Sequence, residues 1–183
     1  MEVLKTEIPG LFIIQPKVFG DLRGYFFESF NARDFFDKTG MDIDFVQDNE
    51  SKSKKGVLRG LHFQKPPFSQ SKLVRVVKGR VLDVAVDIRK DSPTYGLYHA
   101  VELTEENHLQ FFIPKGFAHG FSVLSDEAIF QYKCDEFYNP QSEGAIAWND
   151  PKLNIDWQLN EDEILLSDKD SNHPFFADFV SPF

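Results

Sequence analysis

The sequence predicts an all-β fold, for three reasons. Aromatic residues make up 15% of the 183 residues, and 20 of them are phenylalanine, which packs well on sheets. From Leu82 to Ile88 every second residue is a large aliphatic one, which is the two-residue period of a strand. Helical periodicity is confined to short segments. Many short strands with little helix favour a jelly roll, a β-sandwich or barrel whose interior can hold a ligand.

Six segments are strand candidates, and turn signals separate several of them. The candidates are Gly24–Phe30, Leu73–Val77, Arg80–Ile88, Phe111–Ile113, Phe121–Leu124 and Ala128–Tyr138. Lys78-Gly79 predicts a hairpin between the second and third candidates, although it is a weaker turn signal than Asn-Gly. Ser125-Asp126 predicts the turn before the last candidate. The segment Asp91–Gly96, which contains proline and glycine, is expected to be a loop.

Two short helices are expected. The stronger candidate is Asn31–Thr39, whose first residue is a suitable N-cap and which Gly40 can terminate. Phe35 and Phe36 would pack this helix against the rest of the chain. A second short helix is expected over Glu161–Leu166 in the mixed C-terminal segment.

Length and cysteine content predict one cytoplasmic domain over residues 1–183. Cys134 is the only cysteine, so an internal disulfide and a cysteine-based zinc cluster are excluded. A reducing compartment is the expectation for such a chain. Met1–Lys5 does not start a secretory signal, and no apolar run is long enough for a membrane span, so no membrane partner is expected.

The formal net charge of −9 argues against a general nucleic-acid binder, because the phosphate backbone would be repelled. An anionic small molecule is still compatible with this charge. Screening limits the reach of surface charges to roughly 8 Å at physiological salt. A local cluster of arginine and lysine can therefore hold a phosphate within an acidic protein.

His62 lies in an apolar, strand-like run, Arg59–Gln64, and is a candidate general base. Taken alone, a histidine in such a run is more often structural. Arg59 precedes it by three residues, so a regular strand would place the two side chains on opposite faces. A bulge at Gly60 would bring Arg59 to the face of His62; otherwise Arg59 would act from the strand end.

Three further segments have both a structural and a functional interpretation. His119 lies in Pro114–Phe121, where proline and glycine shape a turn before a strand. Asp168-Lys169-Asp170 is either a solvated charge run or the source of a carboxylate that orients a histidine. Tyr132 and Tyr138 are six residues apart in one strand candidate. They would share a face, either in ordinary packing or as a proton donor and a stacking surface.

The histidines do not predict a metal site. The five are His62, His99, His108, His119 and His173. No two of them have the one-residue or three-residue spacing of a typical ligand pair, and Leu73–Ile88 contains none. No metal and no cofactor are therefore expected.

Several motifs follow one another between about residue 10 and residue 170. They are Gly20-Asp21-Leu22-Arg23-Gly24 with Glu28, Gln47-Asp48-Asn49-Glu50-Ser51, Gly56-Val57-Leu58-Arg59-Gly60-Leu61-His62, Ile113–Phe121, Tyr132, Phe137-Tyr138-Asn139-Pro140, Glu143 and Ser167-Asp168-Lys169-Asp170. In this order they resemble the dTDP-4-dehydrorhamnose 3,5-epimerases, a family of cupin-type jelly rolls.

The resemblance implies a metal-free homodimer that inverts C3 and C5 of dTDP-4-dehydro-6-deoxy-D-glucose. By the same resemblance His62 is the base, Asp170 its carboxylate partner, Tyr132 the acid on the opposite face and Lys72 the cation that faces the enolate. The implied substrate contacts are Arg23, Glu28, Gln47, Asp48, Asn49, Arg59, His119, Glu143 and Lys169, with Tyr138 stacked on the thymine.

Three alternatives remain at the level of sequence. A related enzyme that inverts only one centre would share the base, the acid and the nucleotide site. A non-catalytic sugar-nucleotide binding module would bind the same molecule without moving protons. A metal-dependent cupin oxygenase would share the fold but need metal ligands that the histidine spacing does not supply.

Overall fold

The computed structural model describes residues 1–183 as two antiparallel β-sheets with little helix. The strands are β1 (Glu2–Lys5), β2 (Phe12–Gln15), β3 (Phe19–Asp21), β4 (Gly24–Phe26), β5 (Gln47–Lys54), β6 (Leu58–Gln64), β7 (Lys72–Lys78), β8 (Arg80–Asp87), β9 (Tyr98–Thr104), β10 (Gln110–Ile113), β11 (Phe117–Val123), β12 (Glu127–Cys134) and β13 (Glu143–Ala145). The single α-helix is α1 (Ala32–Thr39), and short 3-10 helices cover Pro140–Ser142, Glu161–Glu163 and Asp170–Asn172.

The two sheets form the jelly roll that the sequence predicts. One sheet has the order β1-β2-β10-β7-β12-β5, and the other has the order β13-β6-β11-β8-β9. Strands β3 and β4 form a separate hairpin outside both sheets. Because most neighbouring strands in each sheet are not consecutive in the chain, the chain crosses repeatedly between the sheets, which encloses an interior between them.

The interior is apolar over most of its volume. The buried residues that fill it are Ile8, Leu11, Val74, Val76, Val81, Ala85, Leu103, Phe111, Ile113, Phe117, Phe121, Val123, Ala128 and Phe130. Both sheets contribute to this cluster, which we call the interior core. Its burial supplies most of the driving force for the sheets to pack face to face.

Strand β8 forms as its alternation predicts, and the structure buries both of its faces. Val81 and Ala85 belong to the interior core. Val84 and Val86 face away from the interior and pack beneath the C-terminal segment, residues 147–183, through side chains such as Trp157. The same alternation turns Asp83 towards the interior, where a carboxylate needs a partner.

The prediction of a hairpin between β7 and β8 is wrong, although both strands lie where the sequence places them. Strand β7 pairs with β10 and β12, whereas β8 pairs with β9 and β11 in the other sheet. Gly79, with φ of +79°, therefore turns the chain from one sheet to the other. A turn signal predicts a reversal of direction but does not specify which strands become hydrogen-bonded.

Helix α1 confirms the stronger helix prediction. The Asn31 side chain accepts a hydrogen bond from the backbone N–H of Asp34 at 3.1 Å, and Gly40 ends the helix with φ of 72°. Phe35 is buried as expected, whereas Phe36 is 50% exposed and does not pack the helix down. No helix in the structure is both long enough and apolar enough to cross a membrane.

Several predicted boundaries differ from the observed ones. The candidate Gly24–Phe30 is a strand only as far as Phe26, because its single ladder partner is the short strand β3. Strand β12 ends at Cys134, so Tyr138 lies beyond it and the two tyrosines are not on one strand. Strand β11 begins at Phe117, four residues earlier than predicted, and the second helix is a single turn. Pairing partners set these limits, and composition alone does not reveal them.

Candidate active site

A bulge in β6 places Arg59 and His62 on the same face. His62 pairs with His119 of β11, and Arg59 pairs with Phe121. Two residues of β6 therefore occupy the length of one residue in β11, which is a β-bulge that includes Gly60. Because Phe121 belongs to the interior core, its partner Arg59 also faces the interior. The difficulty of parity that the sequence raises is resolved by this bulge.

The bulge needs glycine on both strands. A Cβ added to Gly60 would lie 2.6 Å from the Cα of Gly120, and Gly60 has φ of +146°. Any other residue at either position would push β6 and β11 apart. Arg59 then spans the interior, since its Nε and Nη2 atoms lie 3.4 and 3.3 Å from the Ser53 hydroxyl on the other sheet.

His62 is held by a carboxylate from the C-terminal segment. Its Nε2 lies 2.5 Å from Oδ1 of Asp170, and the Ser167 hydroxyl donates to Oδ2 of the same carboxylate at 2.8 Å. Burial would raise the pKa of Asp170, but the contacts with His62 and Ser167 outweigh it and lower that pKa to about 2. The His62 side chain is 37% exposed. An ionised carboxylate thus fixes Nε2 of an accessible imidazole and leaves Nδ1 free.

His119 has a carboxylate partner of its own, deeper in the barrel. Its Nε2 lies 3.0 Å from both oxygens of Asp83 on β8. Asp83 is fully buried, and burial raises the pKa of its carboxyl while lowering the pKa of His119. Only 9% of the His119 side chain is exposed, which distinguishes this pair from the pair of His62.

Lys72 and Tyr132 lie on the facing sheet. Lys72 shares the face of Val74 on β7, Tyr132 shares the face of Phe130 on β12, and both apolar residues belong to the interior core. The Lys72 Nζ atom lies 5.6 Å from the centroid of the Tyr132 ring. Burial lowers the pKa of the Lys72 ammonium and raises the pKa of the Tyr132 hydroxyl. A cation and a neutral phenol therefore face the histidines across the interior.

Polar side chains continue from this group to the open end of the barrel. Gln47 donates to the Asn49 side chain at 3.0 Å and accepts from the backbone N–H of Tyr138 at 3.0 Å. Tyr138 is 54% exposed. Glu143 pairs with Lys169, and the ammonium outweighs the effect of burial and lowers the pKa of Glu143. These contacts give the mouth of the site a mixed charge and an exposed aromatic ring.

A cavity of about 650 Å³ adjoins His62 at this end. Its walls include Glu143, Lys169 and His173, together with Phe179 from the C-terminal segment. His62, Asp170 and His173 also offer donor atoms that all lie within 4.8 Å of one another, which makes them the group able to hold a metal ion. Spacing along the chain could not predict this group, because His62 is 108 residues from Asp170.

Three expected substrate contacts are not brought to this site within the chain. Asp48 lies on the opposite face of β5 from Gln47 and Asn49 and pairs with an outward lysine, because alternate residues of a strand face opposite sides. Arg23 is 90% exposed on the β3–β4 hairpin and pairs with Asp21. Glu28 accepts a hydrogen bond from Asn31 at the start of α1.

Sequence reasoning missed three members of the site. Asp83 did carry a signal, because it and Asp87 are acidic residues that alternate with Val81 and Ala85 on one face of a strand. Ser167 lies within a recognised motif but had no assigned role. His173 has no local signal, since only the folded C-terminal segment places it beside Asp170.

Comparison with known proteins places this jelly roll among the isomerases that act on nucleotide sugars. The family model for dTDP-4-dehydrorhamnose 3,5-epimerase matches residues 5–178. A dTDP-4-dehydrorhamnose 3,5-epimerase of Shigella flexneri is 57% identical over 178 residues, which are 97% of this chain and 97% of that protein. The chain belongs to the dTDP-4-dehydrorhamnose 3,5-epimerase family, as its motifs predict.

Solved structures agree with this placement. The dTDP-6-deoxy-D-glucose-3,5-epimerase of Legionella pneumophila, in complex with dTDP-4-keto-L-rhamnose, is 51% identical with a TM-score of 0.94. The match covers 98% of this chain and 94% of that one. A 3'-monoepimerase of Streptomyces bikiniensis in complex with dTDP-quinovose is 35% identical with a TM-score of 0.87, over 94% of this chain and 86% of that one. The same architecture therefore serves enzymes described as inverting two centres and one.

Proposed function

We propose that this chain epimerises dTDP-4-dehydro-6-deoxy-D-glucose at C3 and C5 and yields dTDP-4-dehydro-L-rhamnose. The relatives named for this reaction support the substrate. The single observation that carries the mechanism is the placement of His62 with its carboxylate on one sheet and of Lys72 and Tyr132 on the facing sheet. A sugar between the sheets would have a base on one side and an acid on the other.

His62 removes the proton next to the C4 ketone. Its Nε2 is engaged by Asp170, so Nδ1 is the nitrogen that accepts the proton. The carboxylate stabilises the imidazolium that forms, because its pKa of about 2 keeps it ionised at neutral pH. General base catalysis of this kind contributes roughly 10²–10⁴ in rate.

Lys72 stabilises the enolate. When the proton leaves, negative charge appears on the C4 oxygen, and a fixed ammonium favours that charge more than it favours the neutral ketone. Burial of Lys72 strengthens this preference, since the interior screens charge less than water does.

Tyr132 returns a proton to the other face of the carbon. Inversion needs a second group, because a base that takes and returns the same proton only exchanges it. Burial raises the pKa of the Tyr132 hydroxyl, which keeps it protonated and ready to donate. Its position on the sheet opposite His62 supports this separate role.

The nucleotide binds at the open end of the barrel. Arg59 and Lys169 supply positive charge for the diphosphate, although the net charge of the chain is −9. The exposed ring of Tyr138 offers a surface on which thymine can stack. Gln47 fixes that surface through the backbone of Tyr138, and Asn49, His119 and Glu143 contact the sugar or its phosphates.

We also propose that two copies associate through the β3–β4 hairpin. Its apolar side chains are unusually exposed: Phe19 at 55%, Leu22 at 108%, Tyr25 at 61% and Phe26 at 67%. A second copy would cover this patch. The same contact would carry Arg23 and Glu28 to the partner's site, which would explain their distance from His62 in one chain. Sedimentation should give a dimer for the wild type and a smaller species for Leu22→Asp.

The cytoplasm is the compartment that we propose. Cys134 is the only cysteine, and it is buried and unpaired. A chain that uses no disulfide suits a reducing compartment. Fractionation of cells that express the native chain should recover the activity with the cytosolic enzymes.

Inversion of one centre only is the second candidate, favoured by the match to the 3'-monoepimerase. Proton NMR of the substrate with the enzyme in D₂O separates the two. We expect both the H3 and the H5 signals to disappear, with a rhamno-configured product after trapping by a reductase. Loss of one signal would establish the single-centre activity. Binding without exchange at either carbon would show a non-catalytic module and contradict the proposal.

A further inference from the structure

Three metal-ligating atoms lie together where the C-terminal segment meets strand β6. His62 Nε2 lies 2.5 Å from Asp170 Oδ1, and His173 Nε2 lies 3.5 Å from the same oxygen. The two imidazole rings stand edge to face with centroids 5.8 Å apart. All three donor atoms lie within 4.8 Å of one another. The proposed mechanism uses the first two residues and leaves His173 without a role.

His173 Nε2 is a buried nitrogen with no hydrogen-bond partner. Buried polar atoms in folded proteins are nearly always satisfied, so an orphan needs an explanation. The unpaired nitrogen lies beside the Asp170 carboxylate and the His62 imidazole, and both of these groups can bind a metal ion.

We propose that His62, Asp170 and His173 form a Zn²⁺ site whose occupation switches the enzyme off. This inference rests on the proposed function only for its effect on activity. Two imidazoles and one carboxylate are a donor set that zinc uses with water as fourth ligand. The ligand atoms need separations of about 3.3 Å for tetrahedral bonds of about 2.0 Å.

The donor atoms must move to reach this geometry, since their present separations run up to 4.8 Å. The His62–Asp170 contact of 2.5 Å has to open, whereas the His173–Asp170 separation of 3.5 Å is close to the required value. Asp170 starts a single 3-10 turn in the C-terminal segment and is not fixed in a sheet. The cavity of about 650 Å³ beside His62 and His173 gives the ion a route of entry and room for the water ligand.

Zinc at this position would block catalysis through the tautomer of His62. A metal bound to Nε2 uses the lone pair of that nitrogen, so the remaining ring proton must reside on Nδ1. Nδ1 is the atom that accepts the substrate proton in the proposed mechanism. With a proton already there, the imidazole cannot act as a base.

The test uses ZnCl₂ with the metal-free full chain. Equilibrium dialysis with elemental analysis should find one Zn²⁺ per chain, and Co²⁺ in its place should give the strong visible absorption of a tetrahedral site. Zinc should suppress H3 and H5 exchange as this stoichiometry is reached. In His173→Asn the zinc concentration for half-saturation should rise at least about tenfold, since a ligand is lost.

His99→Asn is the matched control, because His99 is also paired with a carboxylate, at 2.8 Å from Glu7. It should bind and respond to zinc as the wild type does. No stoichiometric binding, or equal affinity in wild type and His173→Asn, would overturn the proposal. Because dialysis and the cobalt spectrum do not need turnover, they test the site even if the proposed epimerase activity fails.

Discussion

Two histidine–aspartate pairs lie side by side in this barrel. They differ in the element that supplies the carboxylate and in the exposure of the histidine. His62 and His119 are register partners on adjacent strands. The first takes its carboxylate from the C-terminal segment, and the second takes Asp83 from the neighbouring strand β8. The His62 side chain is 37% exposed and the His119 side chain 9%.

The difference in burial shifts the pKa values of the two pairs in different ways. Asp170 has its pKa lowered to about 2, because His62 and Ser167 outweigh the effect of burial. Burial dominates at the other pair, where it raises the pKa of Asp83 and lowers that of His119. An accessible imidazole beside an ionised carboxylate is suited to proton transfer, whereas a closed pair is suited to holding a fixed polar surface. The same two residue types thus acquire different uses from their surroundings.

The rate of inversion should depend strongly on Tyr132, which we place opposite the first pair. Tyr132→Phe should lower the rate of inversion about 10³-fold, because the general acid is lost. Exchange of H3 and H5 with D₂O should fall much less, since His62 still removes the proton. Comparison of product formation with exchange by NMR measures the two rates together, and equal losses would argue against a separate acid.

Lys72 faces both pairs from the opposite sheet. Lys72→Met keeps the length of the side chain and removes its charge, and we expect exchange to fall by roughly 10²–10³. The loss should appear in kcat more than in KM, because the ammonium acts on charge that develops during the reaction. Steady-state kinetics check this, and a change confined to KM would assign Lys72 to substrate binding.

Asp83 should matter more for stability than for proton transfer. Asp83→Ala leaves His119 buried without its partner and should lower the free energy of unfolding by about 3 kcal/mol. Asp83→Asn retains one hydrogen-bond acceptor, so its free energy of unfolding should fall less than that of Asp83→Ala. Urea unfolding measures both variants. A stable Asp83→Ala enzyme whose exchange is abolished would show that the second pair takes part in the chemistry.

The contributions of Asp170 and Asp83 to the free energy of unfolding should change with pH in opposite directions. Asp170 has a folded pKa of about 2, below its unfolded value, so its contribution to stability is present above about pH 4 and is lost as the pH falls. The stability gap between wild type and Asp170→Asn should therefore narrow by about 1 kcal/mol between pH 5 and pH 3.

Asp83 provides the matched comparison. Its pKa is raised by burial, so its contribution is present at low pH and is lost as the pH rises through the folded pKa. The gap between wild type and Asp83→Asn should move in the opposite direction over the same interval. Urea unfolding at the two pH values measures both gaps, and parallel changes would contradict the distinction between the pairs.

The sequence predicts the fold well where periodicity is strong. The alternation of β8 predicts its strand, and the caps of α1 predict that helix. The partner of β7 could not be predicted, because Lys78-Gly79 signals a turn without specifying a sheet. The end of β12 at Cys134 likewise depends on its ladder partners, which are far away in sequence.

The motifs predict which residues form the candidate site, whereas the sequence predicts their arrangement in space only in part. The bulge at Gly60 was an open alternative, and the structure decides it through the register of β6 against β11. Asp48 shows the limit of transferring a whole motif, because its side chain faces away from that of its neighbour Asn49. His173 could not be predicted at all, since only tertiary packing brings it to Asp170.

The central claim is that His62, and not His119, is the base. Single-turnover H3 and H5 exchange in D₂O, with saturating substrate and the variants His62→Asn and His119→Asn side by side, tests it directly. We predict a loss of about 10³-fold or more for His62→Asn and less than about tenfold for His119→Asn. Equal losses in the two variants, or exchange that persists in His62→Asn, would contradict the account.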